Sequence, residues 1–224
     1  MDAADRLCLG RMQNPVRGFL HGAAALLSVI GGAVLWGASA PGLGMRAVLL
    51  VFAASLVGLY TVSSLYHSYP WRTQWKQRMQ RVDHSMIYVL VAGTYTPIVF
   101  VILGGWLLAA ALAATWGITL VGVAQKVFWP RLPHGISIAL QIVQGWLALP
   151  FIGEVARTLP PGALWLVVLG GLSYTVGAVA FVTRRPRLWP QVFSYHEVFH
   201  VCVVAGSALH YAAILAYVAP APGS

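Results

Sequence analysis

At 224 residues, 59% hydrophobic and only 8% charged, the chain lies far below the roughly one-quarter charged content of a water-soluble domain. That excludes an ordinary soluble enzyme and leaves little room for a separate soluble domain. The net charge of +9 is the one bulk feature that suggests nucleic acid, and its distribution along the chain removes that suggestion.

In chain order, residues 1–17 form a polar, mixed segment without the short apolar core and small-residue cleavage site of a removable signal. The first apolar stretch is therefore expected to be a retained span. Seven spans of about 20 residues, the length that crosses a hydrocarbon core, are predicted at 18–38, 46–66, 82–103, 105–125, 135–153, 162–183 and 196–218. The expected organisation is a cytoplasmic segment over 1–17, a seven-helix membrane domain over 18–218 and a short external tail over 219–224. Spans three and four meet at Gly104-Gly105, a tight turn. Pro97 is expected to kink span three, with Thr94 and Thr96 satisfying the freed backbone groups, and Pro150 to kink span five. Gly31-Gly32 and Gly170-Gly171 suit close helix contacts. Trp71, Trp129 and Trp189 suit the membrane interface. Cys8 and Cys202 are too far apart in sequence and setting to suggest a disulfide framework, and Cys202 reads as a small apolar helix residue.

The basic residues fix the orientation. Arg6, Arg11, Arg17, Arg72, Lys76, Arg78, Arg81, Lys126, Arg131, Arg184, Arg185 and Arg187 all fall on one side of the alternating spans. Only Arg46 and Arg157 fall on the other. The positive-inside rule puts that side, and the N-terminus, in the cytoplasm and the C-terminus outside. These cations hold topology and meet anionic lipid head groups, so no nucleic-acid partner is expected. The orientation is opposite to that of G-protein-coupled receptors. A retinal protein would need a lysine in its last span, whereas Lys76 and Lys126 stand at loops or span ends.

Once the orientation is set, polar residues from four regions meet at one depth near the cytoplasmic leaflet. Span one begins with His21 and span two ends with Ser63 and His67. Span three begins with Asp83-His84-Ser85, and span seven begins with His196 and His200. Residues i and i+4 share a helix face about 6 Å apart along the axis, so His196 and His200 can hold one metal ion. They equally suit a pH-sensitive pair or a proton relay. With His67 they supply three legs of a zinc tetrahedron and leave the fourth for water. Asp83 can hydrogen-bond or deprotonate that water, orient a ligand imidazole, or merely pair with Arg81 or a histidine. Ser63, one turn deeper than His67, can donate to a substrate carbonyl or a developing oxyanion. Glu197 lies about 100° around the helix from His196 and reads as an ion-pair partner. His84 reads as a hydrogen-bonding residue, His210 as a buried packing histidine beyond reach of the metal, and His134 as a loop residue.

Ser63-x-x-x-His67, Asp83-His84-Ser85-x-Ile87-Tyr88 followed by Ala92-Gly93-Thr94-Tyr95-Thr96-Pro97, and His196-x-x-x-His200 together resemble the three motifs of the hemolysin III family. That family is the bacterial branch of the progestin and adipoQ receptors. The resemblance spans nearly the whole membrane region. It implies a seven-helix fold in a bacterial inner membrane, with an intramembrane zinc held by His67, His196 and His200 and contacted through water by Asp83. The related adiponectin receptors and alkaline ceramidases imply amide hydrolysis of ceramide-like lipids. The word hemolysin implies cytolysis, a different mechanism. One departure stands out: members often carry an acid and an Asn before the first-span histidine. Here Arg17 stands four residues before His21 and no acid is near, which leaves His21 without an assigned role.

The expected protein is an all-α integral membrane zinc hydrolase of lipid amide or ester bonds, with membrane lipids as partners and a lipid-like substrate. Two alternatives accompany it. One is a non-enzymatic membrane-homeostasis or sensor protein with a structural zinc, the other a cytolysin. The short loops and lack of an amphipathic insertion segment disfavour the cytolysin. The clustering of polar residues at one leaflet disfavours an ion transporter.

Overall fold

A computed structural model describes Met12 and residues 14–132, 134–189 and 192–221. Arg6, Cys8, Arg11 and the end of the expected external tail lie outside the described residues, as does the side chain of His134. The chain forms α1 (Pro15–Ala38), α2 (Leu43–Ser68), α3 (Thr73–Ile102), α4 (Gly105–Phe128), α5 (His134–Gly145), α6 (Ile152–Thr158), α7 (Pro161–Thr183) and α8 (Tyr195–Ala213). A 3₁₀ turn, Leu149–Phe151, lies between α5 and α6, and α8 continues as a π-helical turn over Ile214–Val218. Among the described residues, seven stretches are long and apolar enough to cross a membrane: α1 to α4, Gly135–Thr158, α7 and Tyr195–Val218. The protein is an all-α, multi-pass seven-helix membrane protein, as the composition predicts.

The boundaries differ from the expected ones where hydropathy and helix propensity part company. Residues 73–81, Thr-Gln-Trp-Lys-Gln-Arg-Met-Gln-Arg, are too polar for hydrocarbon, so the span is predicted from residue 82. They include several strong helix formers, and α3 begins at Thr73. The predicted break in span five is present. Helix α5 stops at Gly145, the chain passes through the 3₁₀ turn containing Pro150, and α6 resumes at Ile152. Backbone freed inside a membrane must be satisfied by protein, and the Tyr95 hydroxyl donates to the Gly145 carbonyl at 3.2 Å. Span three corrects one detail. Helix α3 runs through Pro97, whose missing N–H frees the Gly93 carbonyl, but Thr94 and Thr96 donate to the carbonyls of Leu90 and Ala92 at 2.8 and 2.7 Å. Each hydroxyl takes the carbonyl four residues back, so neither can serve Gly93. The turn at Gly104-Gly105 needs glycine, because Gly105 sits at φ 54°.

The bundle closes on itself. Neighbours in sequence pack from α1 to α4, α5 lies against α3, α4 and α7, and α8 packs on both α7 and α1. Its apolar core, built around Leu35, Met45, Leu49, Phe52, Ile98 and Val218, lies toward the end opposite the basic loops. Large side chains such as Leu26, Leu27, Ile30, Leu120 and Val176 face outward, as a lipid-facing surface requires. Polar stitches hold helices that small residues let approach. Gln144 on α5, fully buried, donates to the Tyr88 carbonyl of α3 and to the Thr119 hydroxyl of α4. The Ser207 hydroxyl of α8 joins the Tyr60 hydroxyl of α2 at 2.7 Å and that of Tyr174 of α7 at 2.8 Å.

Helices α2 and α3 approach closely at Gly93, where a Cβ would lie 2.6 Å from the Cβ of Ser55. Gly93→Ala is expected to cost about 1–3 kcal/mol through overpacking, read as a lower melting temperature in detergent. Ser55→Gly in the same chain should recover most of the loss. An unchanged melting temperature for Gly93→Ala would show that the two helices separate without cost.

Candidate metal centre

Helix α2 ends on the basic side of the bundle, and its last turn carries His67. Helix α8 begins on the same side, and its first two turns carry His196 and His200. The start of α8 is strongly specified. Ser194 is its N-cap, and Ser194-Tyr195-His196-Glu197 forms a capping box in which the Glu197 carboxylate accepts the Ser194 backbone N–H at 2.8 Å. The cap fixes the position from which both histidines are counted.

One ring nitrogen from each of His67, His196 and His200 lies within 4.8 Å of the other two. The His67 ring centroid is 5.6 Å from that of His196 and 4.9 Å from that of His200, and the His196–His200 separation is 5.0 Å. Tetrahedral zinc with Zn–N bonds of about 2.0–2.1 Å sets its ligand nitrogens about 3.4 Å apart, so small side-chain rotations suffice to close the set. His67 and His200 are buried and His196 half-buried. Among the described residues, neither ring nitrogen of His67 has a hydrogen-bond partner. A buried polar group left unpaired costs roughly 1–3 kcal/mol, so the fold carries at His67 a penalty that a metal ion on one nitrogen relieves in part. Three imidazoles are also a donor set that zinc accepts. The residues present fit a metal ion.

The other sequence-predicted residues lie outside the converging set. Asp83, on α3, is buried, and its carboxyl is hydrogen-bonded to the Ser63 hydroxyl. Ser63 lies one turn before His67 on α2 and is also buried. Asp83 is not one of the residues whose ligand atoms converge. His84, next to it, is likewise outside the converging set. Glu197 has the ion-pairing role its position suggests. Its Oε1 accepts from Arg17 Nε at 2.6 Å, and the two side chains are only 8% and 12% exposed. His210 is a packing histidine on the buried face of α8. Its Nε2 lies 3.1 Å from the Val167 carbonyl, and its ring lies where a Gly170 Cβ would be.

Two contacts escape a motif search. The first is that of His21, buried on α1, whose Nε2 lies 2.9 Å and Nδ1 3.3 Å from His200 Nδ1. The second is that of Arg17 with its partner. No short-range pattern connects residues 180 positions apart, although the Ser-x-x-Glu signature of the capping box does tie Glu197 to the start of a helix.

The chain matches the family model described as Haemolysin-III related over residues 10–211. It is 31% identical over 172 residues to "Hemolysin-3 homolog" of Bacillus subtilis (strain 168), covering 77% of this chain and 78% of the relative. It is 34% identical over 170 residues to "Hemolysin-3" of Bacillus cereus, covering 76% and 74%. A shorter match, 44% over 57 residues, covers 23% of the chain and 25% of "Heptahelical transmembrane protein ADIPOR2" of Oryza sativa subsp. japonica. With most of its length matched in order, and with the three histidines of its sequence motifs converging at one end of seven spans, the chain belongs to the haemolysin-III related family.

Proposed function

We propose that this protein is a membrane-embedded, zinc-dependent hydrolase of lipid amide or ester bonds, ceramidase-like in chemistry, in a bacterial plasma membrane with its N-terminus in the cytoplasm. The observation that carries the reading is the convergence of His67, His196 and His200 around a buried His67 ring with no hydrogen-bond partner among the described residues. A zinc ion bound by three imidazoles supplies a Lewis acid and a water activated near neutral pH. Everything else falls to the chain's own residues. Asp83 accepts the proton from the attacking water. Ser63 holds the Asp83 carboxyl in place through its hydroxyl. We prefer that role to oxyanion donation, because its single hydrogen serves Asp83.

The name Hemolysin-3, carried by the Bacillus cereus relative, points to cytolysis. A released form of this chain would have to carry seven apolar spans through water, so that reading ranks below hydrolysis. A non-enzymatic role has one specific observation behind it. The three candidate ligands come from α2 and α8, near the two ends of the chain, so a metal would also staple the bundle.

Two measurements test the reading. Detergent-purified protein is expected to carry about one zinc per chain by mass spectrometry, and His67→Ala, His196→Ala and His200→Ala each to lose it. A wild-type protein that carries no metal after gentle purification would remove the mechanism. Asp83→Ala is expected to keep most of its zinc but to cleave a short-chain fluorescent ceramide, or the matching ester, about 10²–10⁴-fold more slowly. Full turnover in that variant would sink the role of Asp83. Zinc-loaded wild type that cleaves neither lipid, and that melts lower when stripped of metal, would instead establish the structural role.

A further inference from the structure

Helix α1 supplies none of the three converging histidines, yet it touches both helices that do, at or beside the ligand positions. The Asn14 backbone N–H, at its N-cap, donates to the His67 carbonyl at 3.1 Å. Arg17 pairs with Glu197, one residue from His196. His21 meets His200 ring to ring, with centroids 4.2 Å apart. Arg17 and His21 share one face of α1 at i and i+4, and Glu197 and His200 share one face of α8 at i and i+3. Two contacts one turn apart fix both the rotation and the height of one helix against the other. We propose that α1 is the positioning element of this site and that His21 is the positioning residue for His200. The inference rests on the metal reading of the histidine cluster.

The chemistry lies in the tautomer. A neutral imidazole that binds a metal through one nitrogen carries its hydrogen on the other. His200 Nδ1 lies 2.9 Å from His21 Nε2 and 3.3 Å from its Nδ1, so a single hydrogen is shared between the two rings. If His21 accepts it, His200 carries its hydrogen on Nδ1 and its Nε2 lone pair is free for a metal. If His21 donates it, His200 holds its own hydrogen on Nε2 and cannot ligate. His21 as acceptor therefore selects the ligating form of His200.

The surroundings hold His21 to that task. Its ring takes a T-shaped contact from the Tyr60 ring at 5.0 Å and 78°, and the Tyr60 hydroxyl is tied to Ser207 on α8. Helix α1 is drawn onto α2 at Gly18, whose carbonyl accepts the Ser64 hydroxyl at 2.8 Å and where a Cβ would strike the Ser68 side chain. Glu197 divides its two carboxylate oxygens between Arg17 and the Ser194 cap. The same carboxylate thus sets where α8 begins and how α1 lies on it.

The test is zinc affinity, measured by competition with a chromophoric chelator on the full-length protein in detergent. Wild type is compared with His21→Gln, whose amide oxygen can accept from His200, and His21→Phe, which keeps an aromatic ring but cannot. The Phe variant is expected to bind zinc about 10–100-fold more weakly, the usual effect of losing a partner of a ligating histidine. The Gln variant should recover most of that affinity, while the metal-free forms melt together. If the Phe variant does not accumulate, His21→Leu takes its place in the same comparison. Wild-type affinity in the Phe or Leu variant overturns the proposal, and so does a Gln variant as weak as the Phe variant, which reduces His21 to packing. A wild type that binds no zinc overturns the metal reading itself, and the positioning role with it.

Discussion

An imidazole buried at the end of a membrane helix must find a partner, and the architecture answers to that constraint at His67. Both of its ring nitrogens lack a hydrogen-bond partner among the described residues. Ionisable side chains at such depth are costly, and a sequence that keeps one there without a protein partner has a use for its lone pair. His196 and His200 approach from another helix to within metal-ligand range. The three side chains come from regions some 130 residues apart, so only the closed packing of the bundle brings them together.

The bundle divides its labour along the membrane normal. Toward the end away from the basic loops, Leu35, Met45, Leu49, Ile98 and Val218 form an apolar core that asks little of geometry beyond volume. Toward the basic end, contacts are directional: an ion pair, a capping box, imidazole to imidazole, hydroxyl to carboxyl. Between the two lies the Tyr60–Ser207–Tyr174 hydroxyl chain, which joins α2, α8 and α7. Apolar packing gives association without register, because lipid tails are as apolar as the side chains. Directional bonds supply the register that a metal site needs.

What is legible in the sequence follows from range. Seven apolar stretches and the sided distribution of arginines are properties of single segments, and they yield the spans nearly as found. His196-x-x-x-His200 and Ser63-x-x-x-His67 are one-turn repeats that place two side chains on one face whatever the tertiary fold. The extension of α3 back to Thr73 escapes hydropathy, which marks the hydrocarbon slab, whereas a helix of Gln, Lys, Arg and Met continues past it. The bonding of Ser63 to Asp83, and of His21 to His200, depends on how α1, α2, α3 and α8 meet. No segment taken alone carries that information.

Arg17 shows why a departure from a family pattern is read in the structure and not at its own position. By sequence it is a cation with no acid nearby to neutralise it, where the resemblance leads one to expect an amide, and so it leaves its neighbour His21 without a role. In the fold its acid arrives from α8. A buried ion pair is weak grounds for stability, since desolvation offsets much of the attraction, but one pair can fix register. Here the pair spans the first and last helices of the bundle. Its carboxylate partner is already oriented by the Ser194 cap. An arginine reaching a pre-oriented carboxylate has one good geometry, and that geometry places His21, one turn further along α1, against His200. The Arg17–Glu197 pair thus serves a histidine that meets His200 at this site.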